Sequence, residues 1–173
     1  MAPAGSFTLA ASSEMLYRDL PVAERIRRIH EAGFAVEIWD WRGHDIDALE
    51  ALHDDGVTFT SMTGYTTGTL GDADGADELL RTAAESIPVA KRIGAWGLNL
   101  HGTGLDDKGL PVKALAPGEV ASEQMWATAR HTLQRIADLG EREGVTFLLE
   151  NLNLAVDHPG TPFARAPRTP STW

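Results

Sequence analysis

Apolar positions recur along the chain with two alternating periods, one typical of β-strands and one typical of amphipathic helices. Short runs rich in β-branched and aromatic residues predict strands, and longer stretches with apolar residues three or four positions apart predict helices. The predicted strands are 6–11, 34–39, 57–62, 95–101 and a fifth that starts at 145, and the predicted helices are about 21–33, 45–56, 75–93 and 119–143.

The order of these elements predicts the fold class. Strand and helix alternate four times before the fifth strand, which indicates right-handed βαβ units and a parallel sheet. An open doubly wound sheet and a βα-barrel both satisfy this order. No Gly-x-Gly-x-x-Gly follows the first strand, so a dinucleotide-binding sheet lacks its main signal. A carboxylate at the end of the fifth strand favours an α/β fold that is a partial TIM barrel, with the first five strands and four helices.

Two features of the chain set further expectations. Pro88 lies inside the third predicted helix, which it should kink or interrupt.

Residues 1–166 carry the alternating pattern and should form the N-terminal part of a barrel. Residues 167–173 contain two prolines and no apolar period, as a truncation or a change of reading frame would produce. We therefore expect an irregular tail there.

The net charge and the composition limit the classes of partner and the types of site that we expect for this protein. The net charge of −10 repels phosphate backbones, so we expect no nucleic-acid partner. The absence of cysteine excludes disulfides, a thiolate nucleophile and sulfur-ligated zinc. The first residues lack the features of a signal peptide, and no run approaches the roughly 18 apolar residues needed to span a bilayer. A cytoplasmic location without a membrane partner is the expectation.

Candidate catalytic residues stand at the ends of the predicted strands. Glu150 ends the fifth apolar run, where a barrel places a metal ligand or a general base; the alternative is a rim carboxylate in an ion pair. His101 ends the fourth run and could hydrogen-bond a substrate hydroxyl or carbonyl, or be a structural histidine at a turn. Glu37 alternates with Val36 and Ile38, so it should point into the barrel, as a site residue or in an internal ion pair.

The loop 102–118 is longer than most connections of its kind, and such loops are often lids. Because the chain is acidic, an anionic substrate would need a local cation. Lys108 and Lys113 in this loop, with Arg42 after the second strand, are the candidates, and no spacing singles one out.

These residues carry a family resemblance. The segment Leu148-Leu-Glu-Asn-Leu-Asn153, followed by Val156-Asp-His-Pro-Gly160, resembles the fifth-strand region of hydroxypyruvate isomerases. That family belongs to the xylose-isomerase-like TIM-barrel superfamily of sugar isomerases and epimerases. Residues 15–21, 32–38 and 99–104 resemble its first loop, second strand and fourth strand. Asn151 stands where the family usually has proline, and Ser12 or Ser13 replaces a common asparagine.

The resemblance implies a metal-dependent isomerase. Its divalent ion (Mg, Mn, Co or Zn) is held by side chains from strands five to eight, and Glu150 matches the first of these ligands. The resemblance further implies that Glu150 helps to move a proton between adjacent carbons through an enediolate, converting hydroxypyruvate to tartronate semialdehyde. Because the other ligands lie beyond this chain, we expect that the chain alone does not retain the metal and that its activity is impaired.

Other readings remain open within and outside this superfamily. A sugar epimerase or an inosose-type dehydratase would act on a related small molecule. An apurinic-site endonuclease shares the fold, but the charge of −10 counts against it. The chain could also be an inactive half-barrel fragment, whose exposed sheet edges would favour homo-oligomers.

Overall fold

The computed structural model describes residues 7–106, 108, 110–152 and 158–163. Five strands alternate with four helices, as the periods predict. The predicted tail at 167–173 lies outside the described residues, as do Asn153 and Asp157. In chain order the elements are β1 (Ala10–Ser12), α1 (Val22–Glu31), β2 (Ala35–Glu37), a short 3-10 helix (Trp41–Gly43), α2 (Ile46–Asp54), β3 (Phe59–Thr63), α3 (Ala73–Ile93), β4 (Gly97–Leu100), α4 (Glu123–Glu143) and β5 (Thr146–Leu149).

Side-chain caps determine where three of the helices begin. Asp45, Asp72 and Ser122 each accept a hydrogen bond from the backbone N–H three residues further on, which satisfies one of the free donors of the first turn. The predicted start of α4 at residue 119 is therefore four residues too early. Glycines at residues 94 and 144 end α3 and α4 in the left-handed conformation.

The expected break at Pro88 does not occur, and α3 runs through it to Ile93. Pro88 and Ala84, whose carbonyl loses its helical partner, are both exposed to solvent. Water can bond to that carbonyl, so the missing hydrogen bond costs little. Ile87 and Ala90, on the opposite face of the helix, stay buried and hold it against the core.

All five strands are parallel and follow the order β1-β2-β3-β4-β5. Residues of opposite character alternate along them. Val36 and Ile38 are fully buried, whereas Glu37 between them faces the other side of the sheet. The predicted parallel sheet with five strands and four helices is confirmed, and it brings the polar ends of the strands to one edge.

The connections after β3 and β4 are joined to each other at that edge. Thr69 and Thr103 form an antiparallel bridge, and the Gly104 N–H donates to the Gly68 carbonyl at 3.1 Å. A second bridge, between Leu105 and Pro111, folds the long loop back on itself. The loop is therefore tied to the strand ends rather than standing away from them. Within the described residues, no helix is both long and apolar enough to cross a membrane.

The described part of the sheet pairs β1 and β5 with one neighbour each. Leu149 of β5 is 49% exposed, and Leu9 beside β1 is 62% exposed. Unpaired, apolar strand edges recruit other strands. We expect the 173-residue chain to elute from a size-exclusion column above its monomer mass of 18.7 kDa. Leu149→Lys, which places a charge on that edge, should reduce the association, and a concentration-independent monomer of the wild type would contradict the prediction.

Candidate active site

A cavity of about 830 Å³ opens at the carboxyl ends of the strands. Parallel α/β folds bind their ligands at this edge because the strand ends and their loops converge there. Polar side chains from the ends of β2, β4 and β5 and from the segments after them line the cavity, among them Glu37, Asp40, Asn99, His101, Asp106 and Glu150. Three of the four residues predicted for the site, Glu37, His101 and Glu150, are brought together here.

Glu150 follows the last residue of β5 directly. Its backbone N–H donates to the Leu100 carbonyl at 2.9 Å, so the sheet pairing continues up to this residue and fixes its direction. The carboxylate oxygen Oε2 lies 3.4 Å from His101 Nε2 and 3.4 Å from Asn99 Nδ2. The side chain is 50% exposed and faces the cavity. A ligand in the cavity can therefore reach this carboxylate.

His101 is oriented by a buried tyrosine. The Tyr65 hydroxyl donates to the Thr103 carbonyl at 2.7 Å and lies 3.1 Å from His101 Nδ1. The single hydrogen of the Tyr65 hydroxyl is used in the bond to Thr103, so the hydroxyl can only accept from His101. Nδ1 is therefore the donor in this second bond, and Nε2 faces Glu150. Burial raises the pKa of Tyr65, so its hydroxyl keeps the proton. Burial also lowers the pKa of His101, against the opposing charge and hydrogen bond of Glu150.

Glu37 points into the cavity, as its alternation with Val36 and Ile38 predicts. Its carboxylate accepts hydrogen bonds from Ser61 Oγ at 3.0 Å and from Trp39 Nε1 at 3.2 Å. Hydrogen bonds from β3 and from the residue Trp39 of the cavity wall therefore hold the Glu37 side chain in place. Its role in binding a substrate stays a prediction.

The candidate cations are arranged differently from what the sequence suggests. Lys108 is exposed and does not line the cavity; its backbone N–H bonds to Asp106. Lys113 bonds to Asp72 at the start of α3 at 2.9 Å. Arg42 does line the cavity, but its Nε donates to Asp40 at 2.9 Å. That hydrogen bond to Arg42, together with its charge, lowers the pKa of Asp40 despite partial burial.

Sequence reasoning missed two features of the site. Asn99 lies two residues before His101 on the same strand face, a spacing that could have identified it. His44, which looks unremarkable in the sequence, pairs with Glu14 instead of lying on the surface: Nε2 and Oε1 are 3.0 Å apart. No sequence signal links these two residues, because they are 30 positions apart and meet only through the pairing of β1 with β2.

Burial and hydrogen bonding act in opposite directions on Glu14. Burial raises its pKa, but the hydrogen bond and charge of His44, with hydrogen bonds from Ser13 and the Trp39 backbone, outweigh this and lower it below its ordinary 4.5. A carboxyl group whose pKa is lower in the folded state stabilises the fold above its unfolded pKa and loses this contribution as the pH falls.

This shift predicts a pH dependence of stability. The free energy of unfolding of the wild type should decrease as the pH falls below 4.5, and it should decrease less steeply in Glu14→Gln. Chemical unfolding between pH 7 and pH 3 measures both slopes. Glu24→Gln, which removes an exposed glutamate of α1, should follow the wild type. Equal slopes for wild type and Glu14→Gln would contradict the prediction.

A metal ion at this cavity would need more ligands than the described residues provide. Among these residues no group of three or more His, Asp and Glu side chains is arranged to hold an ion. Glu150 offers one carboxylate with His101 Nε2 beside it, and divalent ions held by proteins usually take three or four side-chain ligands. The donor set therefore does not fit a complete metal site.

A chelator should accordingly leave the 173-residue chain unchanged. Because a ligand that binds the folded state raises its stability, loss of a bound ion would lower the melting temperature. We expect the melting temperature to stay within about 1 °C when EDTA is added or when Mg²⁺, Mn²⁺, Co²⁺ or Zn²⁺ is supplied. A shift of several degrees with any one ion would show that the chain holds it.

The fold is shared with known proteins. The structure resembles an AP endonuclease of family 2 from Brucella melitensis, with a TM-score of 0.69 and 21% identity over 89% of this chain and 58% of that one. It also resembles the IolI protein, described with a bound zinc atom (TM-score 0.66, 14% identity, 90% and 54% coverage). The D-allulose 3-epimerase from Methylomonas sp. gives a TM-score of 0.62 and 23% identity, with 88% and 54% coverage.

The chain thus spans somewhat more than half the length of these solved structures. None of the curated proteins matches it. The sequence profile of the xylose isomerase-like TIM barrel matches residues 26–169, which is most of the chain. On that match, and with the parallel strand-helix order seen in the structure, this chain belongs to the xylose isomerase-like TIM-barrel family.

Proposed function

We propose that this chain supplies the N-terminal part of an isomerase or epimerase that moves a proton on a small hydroxy-carbonyl compound, with Glu150 as acid and base. The observation that carries the proposal is the carboxylate of Glu150, held at the end of β5 beside His101 Nε2 in the cavity. A fixed carboxylate next to an imidazole is suited to take a proton from carbon and to hold a substrate hydroxyl.

The proton transfer is balanced without any other reactant. Glu150 removes a proton from the carbon beside a carbonyl, and the bond electrons move to the carbonyl oxygen to give an enediolate. Return of the proton to the neighbouring carbon, with transfer of the adjacent hydroxyl proton to the former carbonyl oxygen, isomerises the substrate. Epimerisation instead requires a second acid to deliver a proton to the opposite face of the same carbon while Glu150 keeps the first proton. A divalent metal, as the sequence resemblance implies, would stabilise the charged oxygens, and Glu150 would be one of its ligands.

Below, the complete-barrel protein means a polypeptide that carries residues 1–166 followed by the three further strand-helix units that an eight-stranded barrel requires. We propose this form as the active one, since the chain covers only 58% and 54% of the length of two solved structures with the same fold. The 173-residue chain by itself should be inactive or nearly so.

Two substrate classes compete. The sequence resemblance favours hydroxypyruvate, which would be converted to tartronate semialdehyde. The cavity favours a neutral sugar, because four carboxylates line it among the described residues: Glu37, Asp40, Asp106 and Glu150. One arginine of the same part of the chain, Arg42, also lines it and binds Asp40. An anionic keto acid would be repelled by this surplus of negative charge, whereas a polyhydroxylated ketose would find acceptors for its hydroxyl groups.

Parallel assays separate these classes. The complete-barrel protein is supplied with hydroxypyruvate and with D-allulose, and kcat/KM is measured for both. We expect the neutral ketose to be turned over more efficiently, and Asp106→Asn to shift the ratio of the two values toward hydroxypyruvate. Preference for hydroxypyruvate would support the isomerase of the resemblance, and turnover of neither compound, nor of related ketoses, would contradict the proposal.

A further inference from the structure

Arg25 stands at an unfavourable position for a cation in α1. It is the fourth residue of the helix and lies near its amino-terminal end, where the helix dipole disfavours a positive charge. Within the described residues its guanidinium bonds to backbone carbonyls and to no carboxylate, whereas Arg28 lies 3.9 Å from both Glu24 and Glu31. The stability of α1 therefore does not explain this arginine.

The guanidinium instead closes the loop between β1 and α1. Its Nη1 donates to the Ser13 carbonyl at 2.9 Å, and its Nη2 donates to the Leu20 carbonyl at 3.0 Å. The same Nη2 lies 3.4 Å from the Arg18 carbonyl. Because a guanidinium is planar and presents its donors in a fixed geometry, one side chain can hold both ends of this loop at a set distance. We call residues 13–20 the β1 loop.

The conformation of the β1 loop requires restraint by its surroundings. Tyr17 has φ +51, a left-handed conformation that aromatic residues rarely adopt and that persists only where neighbouring contacts fix it. The Ser13 N–H donates to the Glu37 carbonyl at 3.0 Å, and Glu14 Oε1 lies 3.0 Å from His44 Nε2. Both contacts lie at the start of the loop, and the guanidinium ties that start to the α1 end.

The β1 loop places an apolar side chain in the wall of the cavity. Met15 of this loop lines the cavity, as does Trp39 after β2, whereas Arg25 is not among the described residues that line it. The Met15 side chain is 65% exposed, so packing within the chain restrains it weakly and its position follows from the loop backbone. Ligand sites combine such apolar surface with a few polar groups, and here it can contact the carbon-bound hydrogens of a sugar.

We propose that Arg25 is a positioning residue that fixes the β1 loop and so holds Met15 against the apolar face of the substrate. The substrate contact rests on the proposed function, whereas the closure of the loop by the guanidinium is independent of it. Arg25 touches no substrate in this arrangement, and Met15 contributes binding rather than proton transfer. Loss of Arg25 should therefore weaken substrate binding and leave the chemistry at Glu150 unchanged.

Limited proteolysis of the 173-residue chain tests the loop without any substrate. Chymotrypsin cleaves after Tyr17 when the β1 loop opens, and cleavage after the buried Tyr65 reports global unfolding. Arg25→Leu and Arg25→Lys should each raise the ratio of the Tyr17 rate to the Tyr65 rate by at least about tenfold. Arg28→Leu, which removes an exposed guanidinium from the same helix, should leave the ratio unchanged.

This ratio decides the role of the guanidinium whether or not the protein is an enzyme. A wild-type ratio in both Arg25 variants would overturn the proposal, as would equal rises at Tyr17 and Tyr65, which would show a general loss of stability. Arg25→Lys keeps the charge but cannot span two carbonyls as the planar guanidinium does, so it keeps the test decisive if Arg25→Leu fails to fold.

The kinetic test separates positioning from a purely structural role. In the complete-barrel protein, Arg25→Leu should raise KM for the preferred substrate by about tenfold, with kcat changed by less than about twofold. Arg28→Leu should match the wild type in both constants. A fall in kcat with KM unchanged would overturn the proposal.

A double variant shows whether Arg25 acts through Met15. Met15→Ala should raise KM to a similar extent, and adding Arg25→Leu to it should change KM by less than about twofold further, because the contact that Arg25 positions is already lost. Fully additive effects of the two substitutions would overturn the proposal. If no substrate is turned over, the proposed function and the substrate contact fail together, while proteolysis still shows whether Arg25 fixes the loop.

Discussion

Glutamine at position 150 should lower kcat of the complete-barrel protein by roughly 10²- to 10⁴-fold, the contribution expected of a positioned acid–base group. Glu150→Gln keeps the size of the side chain but can no longer accept a proton from carbon. The carboxylate faces the cavity 3.4 Å from His101 Nε2. The Glu150 side chain is half-exposed, so a substrate can reach it. Steady-state kinetics with the preferred substrate measure the loss.

A second carboxylate of the same cavity provides the control for this result. Asp106→Asn removes one negative charge from the lining but leaves Glu150 and His101 untouched. It should change KM more than kcat. If Glu150→Gln and the wild type had the same kcat, or if Asp106→Asn had the larger effect on kcat, Glu150 would not be the proton-transfer group.

Alanine in place of Gly68 should destabilise the chain by about 3–5 kcal/mol, since a positive φ and a steric overlap combine. Gly68 has φ +108, and a Cβ there would lie 2.3 Å from the backbone N and 2.5 Å from the Cα of Leu79 in α3. A helix backbone cannot yield as a flexible side chain can. The loop after β3 would have to move away from α3, taking its bridge to the long loop with it. Urea unfolding of both proteins gives the difference in free energy.

Gly43 is the matched position for this comparison. A Cβ at Gly43 meets nothing within 4 Å, and its φ does not lie in the left-handed region. Gly43→Ala should therefore change the free energy of unfolding by no more than about 0.5 kcal/mol. A wild-type unfolding midpoint for Gly68→Ala would show that the contact with Leu79 relaxes freely, contrary to the close packing described.

The fold could be predicted from the sequence because the patterns that determine its strands and helices are local. Periods of two and 3.6 residues identify strands and helices, and their order dictates a parallel sheet. The predictions that were wrong concern helix positions whose structure is determined by solvent or by hydrogen bonds outside the helical period. Pro88 does not interrupt α3, because the Ala84 carbonyl that loses its helical partner is exposed to water. The start of α4 depends on Ser122, whose capping hydrogen bond outweighs the helical period upstream of it.

The site was predictable only in part, for the same physical reason. Glu37, His101 and Glu150 are found from their strand positions, since alternation and strand ends are local properties. Lys108 could not be placed, because the path of a long loop depends on bridges such as Thr69–Thr103 that no local pattern encodes. The Glu14–His44 pair escaped notice because its members meet only after β1 and β2 align.

Exchange of substrate hydrogen with solvent tests the central claim most directly. The complete-barrel protein is incubated in D₂O with the preferred ketose, and NMR follows deuterium at the carbon beside the carbonyl. If the Glu150 carboxylate takes the proton, wild-type protein will introduce deuterium there, and Glu150→Gln will do so at the rate of the buffer alone. Equal incorporation by the two proteins would contradict the account, as would product formation without any deuterium.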